Sequence, residues 1–356
     1  MSNVTGFSIE TAHFGTTKNG QEVTQFTLRN ALGMQVKLIN YGGIVTDINV
    51  PDKEGNTDNV VVGYSTLGEY EADPFYLGAI VGRYANRIAH GRLNVAGKTH
   101  QLDINNGPNC LHGGNGGFHK VVWQAQTISN DDYVGVKLLY TSPDGDSGFP
   151  GQLETIAEYR LYKTNKLALH FTATTDALTP VSLTQHGYFN LAGQGSALKH
   201  ELWLASKAIT PVDEDINPTG ELMDTSGTPF DFSAFKAIGQ HIDEAHPQLA
   251  LAGGYDHNFA VTHHAQHTSV QAKLRDPQSG RVMTLSTNSP GMQLYTVNLD
   301  EAVVDSNGSV VMEPRGAVCL EPQHFPNAPN QENFPSPWLA PGEQCEVTFE
   351  YEFTTY

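Results

Sequence analysis

The segment TIAEYRLYKTNKLALHFTATTD, residues 155–176, contains the pattern that decides the fold. It divides into two strands around the turn at residues 163–166, and the second strand places Leu167, Leu169 and Phe171 on one face. A side-chain period of two is typical of a β-strand with one apolar face. The segment therefore predicts an antiparallel β-hairpin.

The same period recurs along the chain. CEVTFEYEF (345–353) alternates apolar and polar residues, residues 26–56 contain three short strands, and residues 92–103 read as another hairpin. Helical signals are limited to 231–242, with Ser233 as a cap, and more weakly to 65–73. Many strands without β–α–β alternation predict an all-β protein, a sandwich or barrel. Without internal repeats or linker-like segments, residues 1–356 are predicted to form a single domain.

The charge balance restricts the partners. With 20 basic and 38 acidic residues the net charge is −18, which argues against nucleic acid and anionic membranes as partners. It also disfavours a phosphorylated substrate. The 3 cysteines show no paired spacing, so neither a disulfide framework nor a zinc site is expected. No secretory signal or membrane-spanning run is visible, and a soluble, cytoplasmic protein is predicted.

Residues 78–91 carry polar groups in an otherwise apolar, glycine-bounded stretch. Arg83, Asn86 and Arg87 are either solvated on a surface turn or held near a ligand as planar hydrogen-bonding groups. The segment alone favours the surface turn. His112 precedes a glycine cluster that would permit close approach to a ligand, although a lone loop histidine is more often simply solvated.

Other single residues are equally ambiguous. Asp256 suits an Asx-turn as well as a binding site, and Gln293 suits the outer face of a strand. Glu321 follows an apolar run, so it lies on a solvated rim or points into a cleft with a raised pKa. His186, in SLTQHGYFNLAG (182–193), reads alone as a histidine with satisfied hydrogen bonds at the end of a strand.

Metal sites fail on spacing. VTHHAQHT (261–268) has three histidines without a carboxylate or cysteine at ligand spacing, and a mobile polar turn is the better interpretation. DGDSGFPG (144–151) begins like a calcium loop, but its sixth residue is Phe149 and its twelfth is Thr155.

Taken together and in order, six motifs resemble the aldose 1-epimerase (galactose mutarotase) family. The resemblance runs from about residue 41 to residue 343. The motifs are GRYANRI (82–88), LHGG with GFHKVVW (111–123), DGDSGFPG (144–151), TQHGYFNLAG (184–193), GYDHNF (254–259) and LEPQHFPNAPN (320–330).

The resemblance implies a large antiparallel β-sandwich, the galactose mutarotase-like supersandwich, with an open sugar cleft. It implies interconversion of the α and β anomers of free hexoses such as D-galactose and D-glucose, without metal or organic cofactor. By the same matching, His186 is the general acid and Glu321 the general base. The sugar would be held by Asn86, Arg87, His112, Tyr188, Asp256 and Gln293.

Ring opening takes a proton from the C1 hydroxyl and gives one to the ring oxygen, so one carboxylate and one protonated imidazole suffice. A nearby aspartate is expected to help keep the imidazole protonated near neutral pH. Gln185, Pro322 and Asn327 depart from the family's usual residues without removing a group that the chemistry needs.

Two alternatives remain. A non-catalytic sugar-binding or sensing module would use the same fold, although retention of both His186 and Glu321 argues against it. A hexose-6-phosphate epimerase would need a basic pocket, for which Arg83 and Arg92 are the only candidates. Apart from the sugar no partner is predicted, and the chain is expected to be a monomer or homodimer.

Overall fold

The computed structural model describes residues 6–261 and 267–356. His263 and His264 of the histidine-rich segment lie outside the described residues. Strands dominate what is described, and their bounds in chain order are β1 Phe7–Thr16, β2 Glu22–Asn30, β3 Gln35–Ile39, β4 Val45–Pro51, β5 Thr57–Asn59, β6 Ile80–Val81, β7 Arg87–Ile88, β8 Arg92–Val95, β9 Lys98–Gln101, β10 Cys110–Leu111, β11 Gln124–Ser129, β12 Tyr133–Ser142, β13 Leu153–Tyr162, β14 Lys166–Thr175, β15 Thr179–Pro180, β16 Thr184–Gln185, β17 Tyr188–Phe189, β18 Glu201–Leu204, β19 Ser206–Ile209, β20 Met223–Asp224, β21 Lys236–Ala237, β22 Asp256–Val261, β23 Ser269–Arg275, β24 Arg281–Thr287, β25 Gly291–Tyr295, β26 Val303–Val304, β27 Val310–Met312, β28 Val318–Gln323, β29 Trp338–Leu339 and β30 Cys345–Thr355.

The predicted hairpin at residues 155–176 forms the third and fourth strands, β13 and β14, of a nine-stranded antiparallel sheet. The sheet order is β11-β12-β13-β14-β30-β24-β23-β18-β21, so β30 inserts beside the hairpin. Leu167 pairs with Tyr351 and Leu169 with Phe349, and all four side chains are buried. The apolar face read from the sequence is therefore the face that enters the core.

Two further sheets share a core with this one. A five-stranded sheet (β1 to β5) contacts it through β2 against β12 and β13, and a six-stranded sheet has the order β17-β28-β25-β22-β19-β20. One apolar cluster contains residues from all three sheets, such as Leu28, Leu169 and Leu320. The prediction of a large antiparallel β-sandwich is confirmed.

The described chain has two short α-helices, α1 Leu67–Ala72 and α2 Pro247–Ala252. α1 confirms the weak prediction at residues 65–73, because the Glu69 carboxylate accepts a hydrogen bond from the Thr66 amide and closes the first turn. α2 was not predicted. Neither α-helix of the described chain has the length and apolar character that a bilayer crossing needs.

The prediction of a helix at residues 231–242 is wrong. Ser233 donates its hydroxyl and its amide to the Asp231 carboxylate instead of capping a helix. β21 then pairs with β18, and a 3-10 turn at Ile238–Gln240 follows. Cross-strand pairing has overridden the local helix signal. Cys110, Cys319 and Cys345 are free thiols.

Arg83 is built into the fold. Only 2% of it is exposed, and its guanidinium donates to the Ser142 hydroxyl and to the carbonyls of Ser142, Pro143 and Gly151. The surface-turn interpretation of this segment is therefore wrong. Arg83 holds the ends of the loop between β12 and β13, and its donors point at protein carbonyls instead of a ligand.

Replacing Arg83 with Met is expected to lower the free energy of unfolding by ~3 kcal/mol or more, because several buried carbonyls lose a charged donor. Urea denaturation measures the change. Arg92→Met, on the exposed side of β8, is the matched control and is expected to stay within ~0.5 kcal/mol of the parent. Equal midpoints for the two variants would contradict the assigned role.

Candidate active site

The floor of the site is the face of the six-stranded sheet that points away from the core. In β28, Leu320 faces the core, so Cys319, Glu321 and Gln323 face the opposite side. Across the sheet, Glu321 pairs with Gln293, and Gln293 pairs with Asn258. Residues so paired project from the same face. This register brings three predicted site residues, Asp256, Gln293 and Glu321, onto one floor.

The first wall is the β7–β10 pair, in which Arg87 lies opposite Leu111. Asn86 and His112 flank this pair, both with positive φ, and each donates its backbone amide to the other residue: His112 to the Asn86 carbonyl and Asn86 to Nδ1 of His112. The glycine cluster that follows His112 also packs closely against the backbone at Gly82. A Cβ at Gly113 would lie 1.9 Å from the Gly82 carbonyl oxygen, so glycine is needed for close backbone packing.

His186 forms the second wall. Its backbone amide donates to the Ala79 carbonyl and its carbonyl accepts from the Gly78 amide, which fixes the chain on both sides of the ring. The side-chain amide of Gln185 also donates, through Nε2, to the Gly78 carbonyl. Tyr188 stacks on the imidazole with ring centroids 4.9 Å apart and donates its hydroxyl to the Phe75 carbonyl.

His186 and Glu321 meet at the bottom of the cavity, with 3.6 Å between Nε2 and Oε2. Both are buried, at 5% and 2% exposure. The structure therefore brings the two predicted catalytic residues together, and it lines the cavity with five of the six residues predicted to hold the sugar: Asn86, Arg87, His112, Tyr188 and Asp256.

Gln293, the sixth, lies just below the cavity surface. Its amide donates to Oδ1 of Asp256 at 2.6 Å, and Oδ2 of Asp256 lies 3.6 Å from the Arg87 guanidinium. Arg87 also donates Nε to the Asn106 side chain at 3.0 Å. Gln293, Asp256 and Arg87 therefore form one connected group that presents both donors and acceptors to the cavity.

Burial governs the protonation of the central pair. It lowers the pKa of His186 to about 4, and the favourable charge of Asp256 opposes this only in part. Burial also raises the pKa of Glu321 well above its ordinary value, with Asp256 adding to the increase and Arg87 opposing it. Asp256 therefore favours the imidazolium in the expected direction, but in the sugar-free site burial outweighs it and both groups favour their neutral forms.

His112, His186 and Glu321 also present a possible metal-binding arrangement, with one ligand atom of each within 4.8 Å of the others. The hydrogen bonding of His112 does not suit a metal. Because Nδ1 accepts the Asn86 amide, the neutral ring carries its proton on Nε2, the atom that faces the cavity. Metal-binding histidines normally donate their second ring nitrogen to an acceptor.

Comparison with known proteins identifies the family of the chain. The family model described as aldose 1-epimerase matches residues 24–352. The galactose mutarotase of Sus scrofa is 39% identical over 350 residues, which cover 98% of this chain and 99% of that protein. The chain belongs to the aldose 1-epimerase family. The predicted family, and with it the predicted isomerase class, are confirmed.

More distant members of the aldose 1-epimerase family agree. The aldose 1-epimerase of Escherichia coli K12 is 34% identical over 94% of this chain and 96% of its own length. The solved structure of a galactose 1-epimerase from Lactobacillus acidophilus NCFM superposes with a TM-score of 0.86 at 27% identity, covering 98% of this chain and 99% of that one.

Several residues that line the cavity of this family member were not predicted. They are Pro74, Phe75, Tyr76, Leu111 and Tyr295. Tyr76 has a φ of 60° and packs edge-on against His112 and His119, with ring centroids 4.6 and 4.4 Å away. The Asp73 carboxylate accepts from the amides of Phe75 and Leu77 and so shapes this loop. Two adjacent aromatic residues after a helix were the only available signal.

The histidine states can be tested directly by two-bond ¹H–¹⁵N NMR of the sugar-free protein. His186 is expected to be neutral at pH 7 and to gain a proton only as the pH falls towards about 4, because burial opposes the charge. His112 is expected to be the Nε2–H tautomer. The His186→Asn variant assigns the signal, and titration of His186 near pH 6.5 would contradict the burial argument.

Proposed function

We propose that the protein interconverts the α and β anomers of free hexoses, D-galactose and D-glucose, with Glu321 and His186 as the proton-transfer pair. The observation that carries this proposal is the 3.6 Å approach of the two buried groups at the bottom of a cavity lined by polar side chains. The relatives named galactose mutarotase support D-galactose as a substrate.

The chemistry needs two proton transfers. Glu321, as carboxylate, takes the proton of the C1 hydroxyl while His186, as imidazolium, gives one to the ring oxygen. The C1–ring oxygen bond breaks, C1 becomes an aldehyde carbon, and rotation about C1–C2 presents its other face. The reverse transfers then close the ring. Each positioned acid or base contributes roughly 10²–10⁴-fold to the rate.

The neutral pair favoured by burial fits this cycle. A protonated Glu321 beside a neutral His186 carries the same number of protons as the charged pair, and it is the state in which the open-chain aldehyde is held. The charged pair is needed only when a cyclic sugar occupies the cavity. The C1 hydroxyl and ring oxygen then hydrogen-bond to the charged groups, and Asp256 favours the imidazolium.

The remaining site residues are assigned to sugar binding. Arg87, Asp256 and Gln293 form the connected group suited to ring hydroxyls, and His112 presents an Nε2–H donor to an oxygen of the sugar. Asn86 and Tyr188 complete the walls. No metal or organic cofactor enters this scheme. We also propose a single domain over residues 1–356, a cytoplasmic location, a monomer or homodimer, and no nucleic-acid or membrane partner.

The hexose-6-phosphate alternative is less well supported. Arg87 is the only lysine or arginine among the described residues that line the cavity, and Asp256 lies beside it. Arg83 donates to protein carbonyls and is not free to bind a phosphate. A phosphoryl group would therefore be placed near a carboxylate without a free cation.

Glu321→Gln and His186→Asn are each expected to reduce kcat at least 100-fold, because each removes one proton-transfer group. The decay of optical rotation of fresh α-D-galactose measures the rate. Sugar binding by His186→Asn, measured by calorimetry, is expected to stay within about tenfold, since the acid acts mainly in the transition state.

Glu332→Gln and His90→Asn are matched controls at exposed positions and are expected to keep full activity. Asparagine tolerates the positive φ of His90. If Glu321→Gln kept the parent rate, the proposed pair would be wrong and a binding or sensing role would be favoured.

Polarimetry with D-galactose, D-glucose and D-glucose 6-phosphate separates the substrate classes. The value of kcat/KM is expected to be at least tenfold higher for the free sugars, because the cavity offers the phosphate no free cation. A preference for the phosphorylated sugar would overturn the assignment.

A further inference from the structure

Gln323 lies on the site floor, two residues after Glu321 and on the same face of β28. It is 1% exposed, and its amide nitrogen donates to Oε1 of Gln293 at 3.3 Å. It does not line the cavity, and its hydrogen bond to Gln293 is its link to the residues that do.

The orientation of both amides is determined by Asp256. A carboxylate only accepts hydrogen bonds, so Gln293 must turn its NH2 group towards Asp256, which it does at 2.6 Å. Its carbonyl oxygen then faces Gln323, which must present its own NH2 group. The chain of bonds from Gln323 through Gln293 to Asp256 therefore has one direction.

Turning the Gln293 amide over would place its oxygen against the Asp256 carboxylate. The 2.6 Å bond from Gln293 to Asp256 would then be lost. Arg87 would remain near the Asp256 carboxylate, but the Gln293 donor would be gone. The donor from Gln323 opposes this rotation, because the turned amide would place two NH2 groups face to face.

We propose that Gln323 is a positioning residue that sets the amide orientation of Gln293 and, through it, the hydrogen bonding of Asp256 to the sugar. The proposal rests on the proposed sugar-binding function of this site. Gln323 acts mainly on the binding of the hexose, and it changes the proton transfers little because Asp256 keeps the negative charge that favours the imidazolium.

Gln323→Met keeps the side-chain volume and removes the donor. It is expected to raise KM for D-galactose about fivefold to tenfold, as for loss of one hydrogen bond, with kcat within about twofold of the parent. An unchanged KM, or a fall in kcat alone, would overturn the proposal.

Gln323→Glu distinguishes the positioning role from a purely structural one, because only the positioning role makes the effect on KM depend on pH. The protonated carboxyl can donate to Gln293, whereas the carboxylate cannot. KM is therefore expected to be near the parent value at low pH and to rise, relative to the parent, as the introduced carboxyl ionises. A pH-independent KM ratio between this variant and the parent would contradict the proposal.

Thr155→Val is the control outside the site. Thr155 lies in β13, away from the cavity lining; it is also 1% exposed, and its hydroxyl lacks a hydrogen-bond partner in the structure. This variant is expected to leave KM within twofold. An equal rise in KM would mean that KM responds to the loss of any buried polar group, and the proposal would fail.

Calorimetric titration with D-galactose on the Glu321→Gln background separates this proposal from the proposed function. Weaker binding on adding Gln323→Met supports the positioning role even if Glu321 is shown not to be catalytic. Unchanged binding refutes that role whatever the activity of the parent. Circular dichroism and a thermal melt establish that each variant is folded.

Discussion

Strand register in the six-stranded sheet is the constraint on which the site depends. Along β28 and β25, residues that face the core alternate with residues that face the cavity, and the two strands pair Gln293 with Glu321. A slip of one residue would bury Glu321 in the core and expose Leu320 to the cavity. The apolar interior that stabilises the sandwich therefore also specifies the direction of the carboxylate.

Burial is the second determinant. The cavity removes water from His186 and Glu321, and each group then favours its uncharged form. In the proposed reaction a hexose places its hydroxyls and ring oxygen beside this pair, so the sugar itself becomes part of the environment that decides where the shared proton resides. The walls contribute rigidity, since the backbone of His186 is hydrogen-bonded to Gly78 and Ala79.

Many of the strands and the two central site residues could be predicted from the sequence. Period-two alternation is local, so the hairpin at 155–176 and the strand at 345–353 could be recognised from their residues alone. The ordered motifs indicated His186 and Glu321, which lie far apart in the chain. The helix expected at 231–242 failed because strand pairing with β18, a distant segment, outweighed local preference. The burial of Arg83 likewise depends on carbonyls about 60 residues further along the chain.

The protonation of His186 was beyond such prediction because it sums the desolvation of a whole cavity. The tautomer of His112, by contrast, rests on a single bond from the Asn86 amide, and it bears on the proposed binding of the sugar. A ring nitrogen that carries a proton can hydrogen-bond only to a ligand atom with a lone pair. In the proposed binding mode an ammonium group there would set donor against donor, so protonated amino sugars are expected to bind more weakly where the amine replaces the hydroxyl that meets His112.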